Sequence, residues 1–268
     1  MFRKDSNFYS RVDEKMKGNW RVIFFATILI NIINMIVSSS NSLPRSLDYI
    51  NSVMENGFVY SQFINYIQPT TEFNLLFSFE ALLTELLTLT FNMELLDFLR
   101  TGVFQVENIV RYIIKHPFKV FSASLLLWLL PIATGLIPIF GKTIYYVLYY
   151  GFSYVAYLVL LAPESNPFYY LKLSWNLTNG NKIELLNKVI HYYGIVFFGY
   201  FIVGFGFFLL VIGHPTVYGV SVVSSLGVVT MIFGVIWSIF WHIKNTPYYY
   251  LASALYFKEH MEHKEVEF

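Results

Sequence analysis

Two glutamates, Glu80 and Glu85, stand inside a stretch that is otherwise apolar from Asn74 to Met93. A charge at the centre of a membrane helix costs about 2.5–3.5 kcal/mol on insertion scales, so an embedded carboxylate marks a proton relay or a substrate site by default. Five residues apart on a helix is about 140° around its axis, which rules out a catalytic pair on one face. Glu85 does share a face with Thr88. Two readings stand. In one, Glu80 and Glu85 form a polar pathway with Tyr150 and Tyr154. In the other, one carboxylate bonds across helices and the second lies near the outer interface. A phenol in the bilayer core needs a partner in either case.

Other reactive groups are sparse. The chain has no cysteine, which excludes disulfides, thiolate metal sites and cysteine nucleophiles. His191, His214 and His242 fall near the ends of apolar stretches, and His260 and His263 lie beside Glu259 and Glu262 in the tail. A zinc site needs three or four convergent ligands, no His-Glu-x-x-His pattern exists, and the tail reads as solvated. There is no Gly-x-Ser-x-Gly elbow and no phosphate-binding glycine loop. The expectation is a protein that is not an enzyme, with no catalytic residues, no metal and no cofactor. Net charge is +1 without a long basic run, so no nucleic-acid partner is expected.

The elements around these residues belong to a bilayer. Of the 268 residues, 56% are hydrophobic and only 13% charged, where soluble proteins carry roughly 25%. Mean hydropathy is +0.53. Spanning takes about 20 apolar residues, and six stretches qualify: 20–37, 74–93, 120–139, 143–162, 192–212 and 220–243. The fold class predicted is all-α, a polytopic transmembrane bundle of one domain with an outer loop over 38–73. The first stretch follows a polar segment and reads as an uncleaved span rather than a signal peptide.

Lysine and arginine set the orientation. All but Arg45 and Lys142 of the 18 fall before the first stretch or, for Arg21, at its leading edge, between the second and third, between the fourth and fifth, or after the sixth. The positive-inside rule then puts both termini in the cytoplasm of a multi-pass cell-membrane protein. This holds only if 74–93 crosses; were it to lie flat, the basic segment from Arg100 to Lys119 would move outside. The sequon Asn176-Leu177-Thr178 falls on the inner side and is discounted.

On that inner side, apolar residues recur at helical spacing beside basic ones. The sets are Phe8, Val12 and Met16 with Arg11 and Lys15; Val106, Ile109, Val110 and Ile113 with Arg111 and Lys115; and Phe168, Leu171 and Trp175 with Lys172. Tyr248, Leu251, Leu255 and Tyr256 continue the pattern after Pro247. They read as short interfacial helices with basic groups on lipid phosphates, or as connecting helices packed on the bundle. Ser224, Gly227, Gly234 and Ser238 trace a small-residue seam along the sixth stretch, where a helix of this chain or of a second copy approaches closely. Gly194, Gly199, Gly204 and Gly206 do similar work in the fifth, or let it bend. Lys17-Gly18-Asn19 and Asn179-Gly180-Asn181 echo one another before the first and fifth stretches.

Several of these segments together carry a resemblance. Leu125-Leu126-Leu127-Trp128-Leu129-Leu130, Ile137-Pro138, Ala162-Pro163-Glu164-Ser165-Asn166-Pro167, Leu173-Ser174 with Asn179-Gly180-Asn181-Lys182, and Thr246-Pro247-Tyr248 to Ala254-Leu255-Tyr256 occur in that order. In that order they resemble an uncharacterised bacterial family of multi-pass membrane proteins, common in Firmicutes. Its layout is similar to the membrane domain of some glycerophosphodiester phosphodiesterases. The family usually has Pro-Gly where this chain has Pro138-Ile139. The resemblance implies six passes and no known catalytic residues. The function expected is an accessory or scaffold for another membrane system, with the lipid bilayer and either a membrane-protein partner or a second copy as partners. A transporter or lipid-handling permease, and an immunity protein against a membrane-active peptide, are the alternatives.

Overall fold

The computed structural model describes residues 6–56, 75–135, 137, 141–162, 166–213 and 222–264; side chains from 34 to 80 lie outside that description. In chain order the helices are α1 (Ser6–Asn56), α2 (Leu75–Thr101), α3 (Val106–Lys115), α4 (Pro117–Gly135), α5 (Gly141–Gly151), α6 (Val155–Leu161), α7 (Pro167–Thr178), α8 (Lys182–Ile212) and α9 (Val222–Lys264). No strand occurs among the described residues. Among the described residues five segments are long and apolar enough to cross a membrane: Asn7–Ile33, Pro117–Thr134, Thr143–Leu161, Lys182–Leu210 and Val222–Glu262. The chain is therefore an all-helical protein built like a multi-pass membrane protein.

Three boundaries differ from expectation. First, α1 runs without interruption to Asn56, so the start of the segment expected as an outer loop is helical; 57–74 lies outside the described residues. Gly18 sits inside this helix with nothing around it, whereas Gly180 is at φ +85 in the turn before α8. The two Gly-Asn segments are thus unlike: one is helix interior, the other a true break. Second, α9 continues through Pro247 to Lys264. Thr246 and Pro247 are both buried, and surrounding protein lets a helix carry a proline at membrane depth. Third, the stretch 143–162 is two helices, α5 and α6, parted by Phe152–Tyr154.

The chain forms two compact units, one of 1–34, 76–192 and 246–268, the other of 35–75 and 193–245. The centre of the first is α2. Met93, Glu94, Leu95 and Leu96 are all buried, and four consecutive helical positions cover nearly the whole circumference. Protein, rather than lipid, thus surrounds this part of α2. That is how this 27-residue helix accommodates Glu94. Hydroxyls inside the helices bond to their own backbone one turn earlier: Thr27 to the Ile23 carbonyl at 2.7 Å, Thr134 to Leu130 at 2.8 Å and Thr90 to Leu86 at 3.0 Å.

Glycine ends α2. Gly102, at φ +80, donates its N–H to the Phe98 carbonyl at 2.8 Å, a left-handed cap. The chain turns back and Glu94 meets the start of α3, accepting the Gln105 N–H at 2.7 Å. The Tyr112 hydroxyl lies 3.3 Å from Glu94 and 3.2 Å from Asp97. Burial first, then those carboxylates, push the Tyr112 phenol well above its ordinary pKa, so it stays a neutral donor. Glu94→Ala is expected to cost about 1–3 kcal/mol by orphaning the Gln105 N–H, while Tyr112 keeps Asp97. Amide hydrogen exchange should quicken at the first turn of α3, and Glu94→Gln, which keeps an acceptor, should lose much less.

Basic residues tie helix ends together in the first unit. Arg11 of α1 holds Glu259 of α9 through two bonds of 3.0 Å. Lys258 donates to the Leu99 carbonyl near the end of α2 at 3.0 Å. Lys119, at the start of α4, donates to the Ala162 carbonyl after α6 at 3.0 Å. Lys188, near the start of α8, sits 3.0 Å from the Tyr256 ring centre and 5.3 Å from that of Phe8.

In the second unit α8 and α9 touch backbone to backbone. A Cβ on Gly227 would lie 2.6 Å from the Leu210 nitrogen, and one on Gly206 would lie 2.8 Å from the Gly227 oxygen. Gly234 faces Val203, Ser238 faces Gly199, and the Trp237 indole donates to the Ile195 carbonyl at 3.1 Å. Ser224 is buried. The seam of small residues is therefore filled from within the chain. Gly199 and Gly206 belong to it; Gly194 and Gly204 face open space. Outside the seam, Phe201, Phe205, Phe208, Val229, Ile236 and Phe240 are exposed, an extent of apolar surface suited to lipid and foreign to soluble monomers.

Candidate functional site: a polar cluster joined to a helix break

The break between α5 and α6 begins at Gly151. A Cβ there would lie 2.3 Å from the Trp175 ring of α7, so the ring occupies the place of a side chain. Removing one turn of helix frees backbone groups that lipid cannot satisfy. Here α7 satisfies them. The Ser174 hydroxyl donates to the Gly151 carbonyl at 2.9 Å and accepts the Tyr154 N–H at 3.2 Å; Thr178 donates to the same carbonyl at 3.0 Å. Thr178 is the threonine of the sequon, and it is fully buried. α7 itself starts cleanly, with Pro167 in its first turn and the Asn166 side chain accepting the Phe168 N–H at 3.0 Å.

Tyr154 follows the break directly and points into the unit. Its ring lies 4.9 Å from Phe257, 6.3 Å from His260 and 6.4 Å from Tyr157. It is 1% exposed, and its hydroxyl has no hydrogen-bond partner. Around it stands a cluster from three elements. Tyr256 donates its hydroxyl to Glu184. His260 stacks on Tyr256 at 6.0 Å and meets Asn181 at 3.2 Å. Lys188 lies over the Tyr256 ring, 5% exposed, with Glu184 and Glu259 in electrostatic reach. Glu259 is in turn gripped by Arg11.

The sequence placed these residues differently. Glu259 and His260, expected in a solvated tail, are part of the packed cluster because α9 continues past Pro247. Phe8, Val12, Met16, Leu251 and Leu255 are buried, so the apolar faces at both ends of the chain pack on the bundle. Arg11 faces Glu259, whereas Lys15, Arg111, Lys115 and Lys172 are exposed. On α3, Ile109 is buried while Val106, Val110 and Ile114 are exposed, and Phe118 beyond it is 87% exposed. This helix is anchored on one side and apolar on the other.

Of the four residues expected in a polar pathway, Glu80 has a side chain outside the described residues. Glu85 lies within electrostatic reach of Tyr145 and Tyr149. The Tyr150 ring lies 5.7 Å from that of Tyr149. Tyr154 belongs to the cluster just described. The groups sequence reasoning missed are Tyr145, Tyr149, Lys188, Glu184 and Tyr256. Two tyrosines four apart, and a lysine four after a glutamate, were visible as spacings, but nothing local distinguishes them from surface pairs. Among the described residues no group of three or more His, Asp or Glu could hold a metal.

The class these features define is a helical, multi-pass membrane protein with a polar, aromatic cluster where its basic helix ends meet. No family model matches the chain, and neither a curated protein nor a solved structure matches it.

Proposed function

We propose that this chain is a six-pass bacterial cell-membrane protein, of the uncharacterised family its motifs resemble, that acts without catalysis as an accessory or scaffold for another membrane system. Six passes require α2 to cross, and two contacts support that. The Arg11–Glu259 pair brings the two ends of the chain to one place, as only an even number of crossings does. Lys258 meets the end of α2 at Leu99, next to Glu259. At about 1.5 Å per residue, α2 is then long enough to arrive from the opposite face. The shared end is the basic one, which the positive-inside rule assigns to the cytoplasm.

The observation that carries the scaffold reading is α3. Glu94 and Tyr112 fix it, while Val106, Val110, Ile114 and Phe118 stay exposed beside Arg111 and Lys115. Such a surface suits anionic lipid and a membrane-bound partner. Elsewhere at this end Arg11, Lys119, Lys188 and Lys258 are engaged with other groups of the chain.

Absence of cysteine makes the topology directly testable. Ser6→Cys and Lys264→Cys should both react with an impermeant maleimide only from the cytoplasmic side of oriented vesicles; labelling from opposite sides would leave five passes. Crosslinked pull-down from native membranes, with protein and lipid mass spectrometry, tests the role. A stoichiometric membrane-protein partner is expected, and a lone protein carrying one enriched lipid or solute would overturn the scaffold reading. The second reading, a transporter or lipid-handling permease, is favoured by Glu85 among tyrosines; Glu85→Gln should then abolish flux. Immunity against a membrane-active peptide would instead show as sensitivity to that peptide when the protein is lost.

A further inference from the structure

Helix α3 is fixed along one side. Phe104, in the turn before it, packs its ring on Phe91 and Phe98 of α2 at 6.0 and 6.2 Å. Ile109 is buried, and the Tyr112 hydroxyl reaches Glu94 and Asp97. At about 100° per residue, the rest of the circumference divides into two further sectors. Val106, Val110 and Ile114 advance by about 40° a step and fill one of them. All three are exposed, Ile114 to 74%. Arg111 and Lys115 fill the other, about 120° around from the centre of the apolar sector, and both are exposed. The fixed side, with Ile109 and Tyr112, lies about 130° from that centre in the opposite sense. Among the described residues neither Arg111 nor Lys115 has an ion-pair partner, and Glu107 is the one acidic residue of the helix.

Two features choose the occupant of this surface. One residue, His116, separates α3 from α4, and α4 is long and apolar enough to cross a membrane. The first turns of α4 expose Phe118 to 87% and Phe121 to 48%, so the apolar sector of α3 ends where the lipid-facing surface of a span begins. The second feature is charge. A helix lying in the interface buries its apolar side at the boundary of headgroups and acyl chains and turns its basic side to the headgroups. Two unpaired cations one turn apart complement an anionic leaflet, whose surface attracts each of them.

We propose that α3 binds anionic phospholipid, with Val106, Val110 and Ile114 against the acyl chains and Arg111 and Lys115 on the headgroup phosphates. The inference rests on the reading of α3 as an exposed surface, and it chooses lipid over protein as what covers that surface. It needs neither a partner nor a particular side of the membrane, so it stands or falls separately from the scaffold role.

The chain has no cysteine, so Ile114→Cys carries a single environment-sensitive fluorophore at an exposed position. The full labelled chain is placed, with no other protein, in phosphatidylcholine vesicles containing spin-labelled phosphatidylglycerol or, at the same mole fraction, spin-labelled phosphatidylcholine. Stronger quenching by the phosphatidylglycerol is expected, and only weak quenching by iodide in the water. Arg111→Gln with Lys115→Gln should lower the preference about fivefold or more, while quenching by spin-labelled phosphatidylcholine persists. Circular dichroism and monodispersity confirm folding. If the double variant does not fold, about 1 M salt, which shortens the screening length to about 3 Å, should weaken the preference in its place. A benzophenone on the same cysteine, irradiated in native membranes, should attach to lipid. Strong iodide quenching without lipid quenching would overturn the proposal. Equal quenching by the two lipids, a preference that survives loss or screening of both charges, or a protein as the main benzophenone adduct would do so too.

Discussion

Gly227→Leu is expected to produce a chain in which α8 and α9 no longer pack. At this point two backbones pass within reach of each other: a Cβ on Gly227 would fall 2.6 Å from the Leu210 nitrogen and 2.7 Å from the Gly206 oxygen. The obstructing atoms are backbone, so no rotamer change relieves the clash. Overpacking of ordinary cores costs about 1–3 kcal/mol, and a backbone contact belongs at the upper end of that range. Without water to drive helices together, close packing and interhelical hydrogen bonds are what hold a membrane pair. The Trp237–Ile195 bond is expected to fail with the seam. Size-exclusion chromatography after a heating series in detergent should show early loss of the monodisperse peak. Gly204→Leu on the facing helix α8, where nothing lies within 4 Å, should behave like the unaltered protein. Equal stability of the two variants would contradict the seam.

A second large effect is expected at the break between α5 and α6. Gly151→Leu places a side chain where the Trp175 ring now lies, 2.3 Å from the Cβ position. The ring must leave, taking with it the contact in which the Lys182 ammonium sits 3.3 Å from its centre. A loss of about 3 kcal/mol and an altered tryptophan emission are the expected readouts. Ser174→Ala is the gentler probe. It leaves the Gly151 carbonyl to Thr178 but orphans the buried Tyr154 N–H, at about 1–3 kcal/mol. Thermal unfolding in detergent should rank Ser174→Ala between the unaltered protein and Gly151→Leu. If Ser174→Ala matched the unaltered protein, the hydroxyl would not be what holds the break.

Local patterns made much of the fold legible. Long apolar stretches without charge identify helices because a bilayer admits little else. Small residues at Ser224, Gly227, Gly234 and Ser238 mark a seam because only they allow two backbones to meet. The helical spacing of Val106, Ile109, Val110 and Ile113 located α3, although it did not say which of the four would be covered. Spacing gives the face of a helix; the neighbour that covers the face is supplied by chain far away.

The candidate site was much less legible, for the same reason. Glu85 stood out by contrast with its own helix, because a carboxylate in an apolar stretch is conspicuous in any sequence. The phenols in its electrostatic reach come from α5, about sixty residues on. Arg11 and Glu259 are 248 positions apart, and nothing near either names the other. Glu259 and His260 read as tail residues because they are polar and follow the last apolar pattern, whereas α9 continues to Lys264 and carries them onto α1 and the turn before α8. The break at Gly151 exists because Trp175 fills the space and Ser174 and Thr178 bond the freed backbone, three side chains from a helix that follows later. By itself the sequence determined class, helix content and charge asymmetry, which depend on composition and on neighbours within a few turns. Tertiary structure alone decided which polar groups meet, because that depends on contacts between residues distant in the chain.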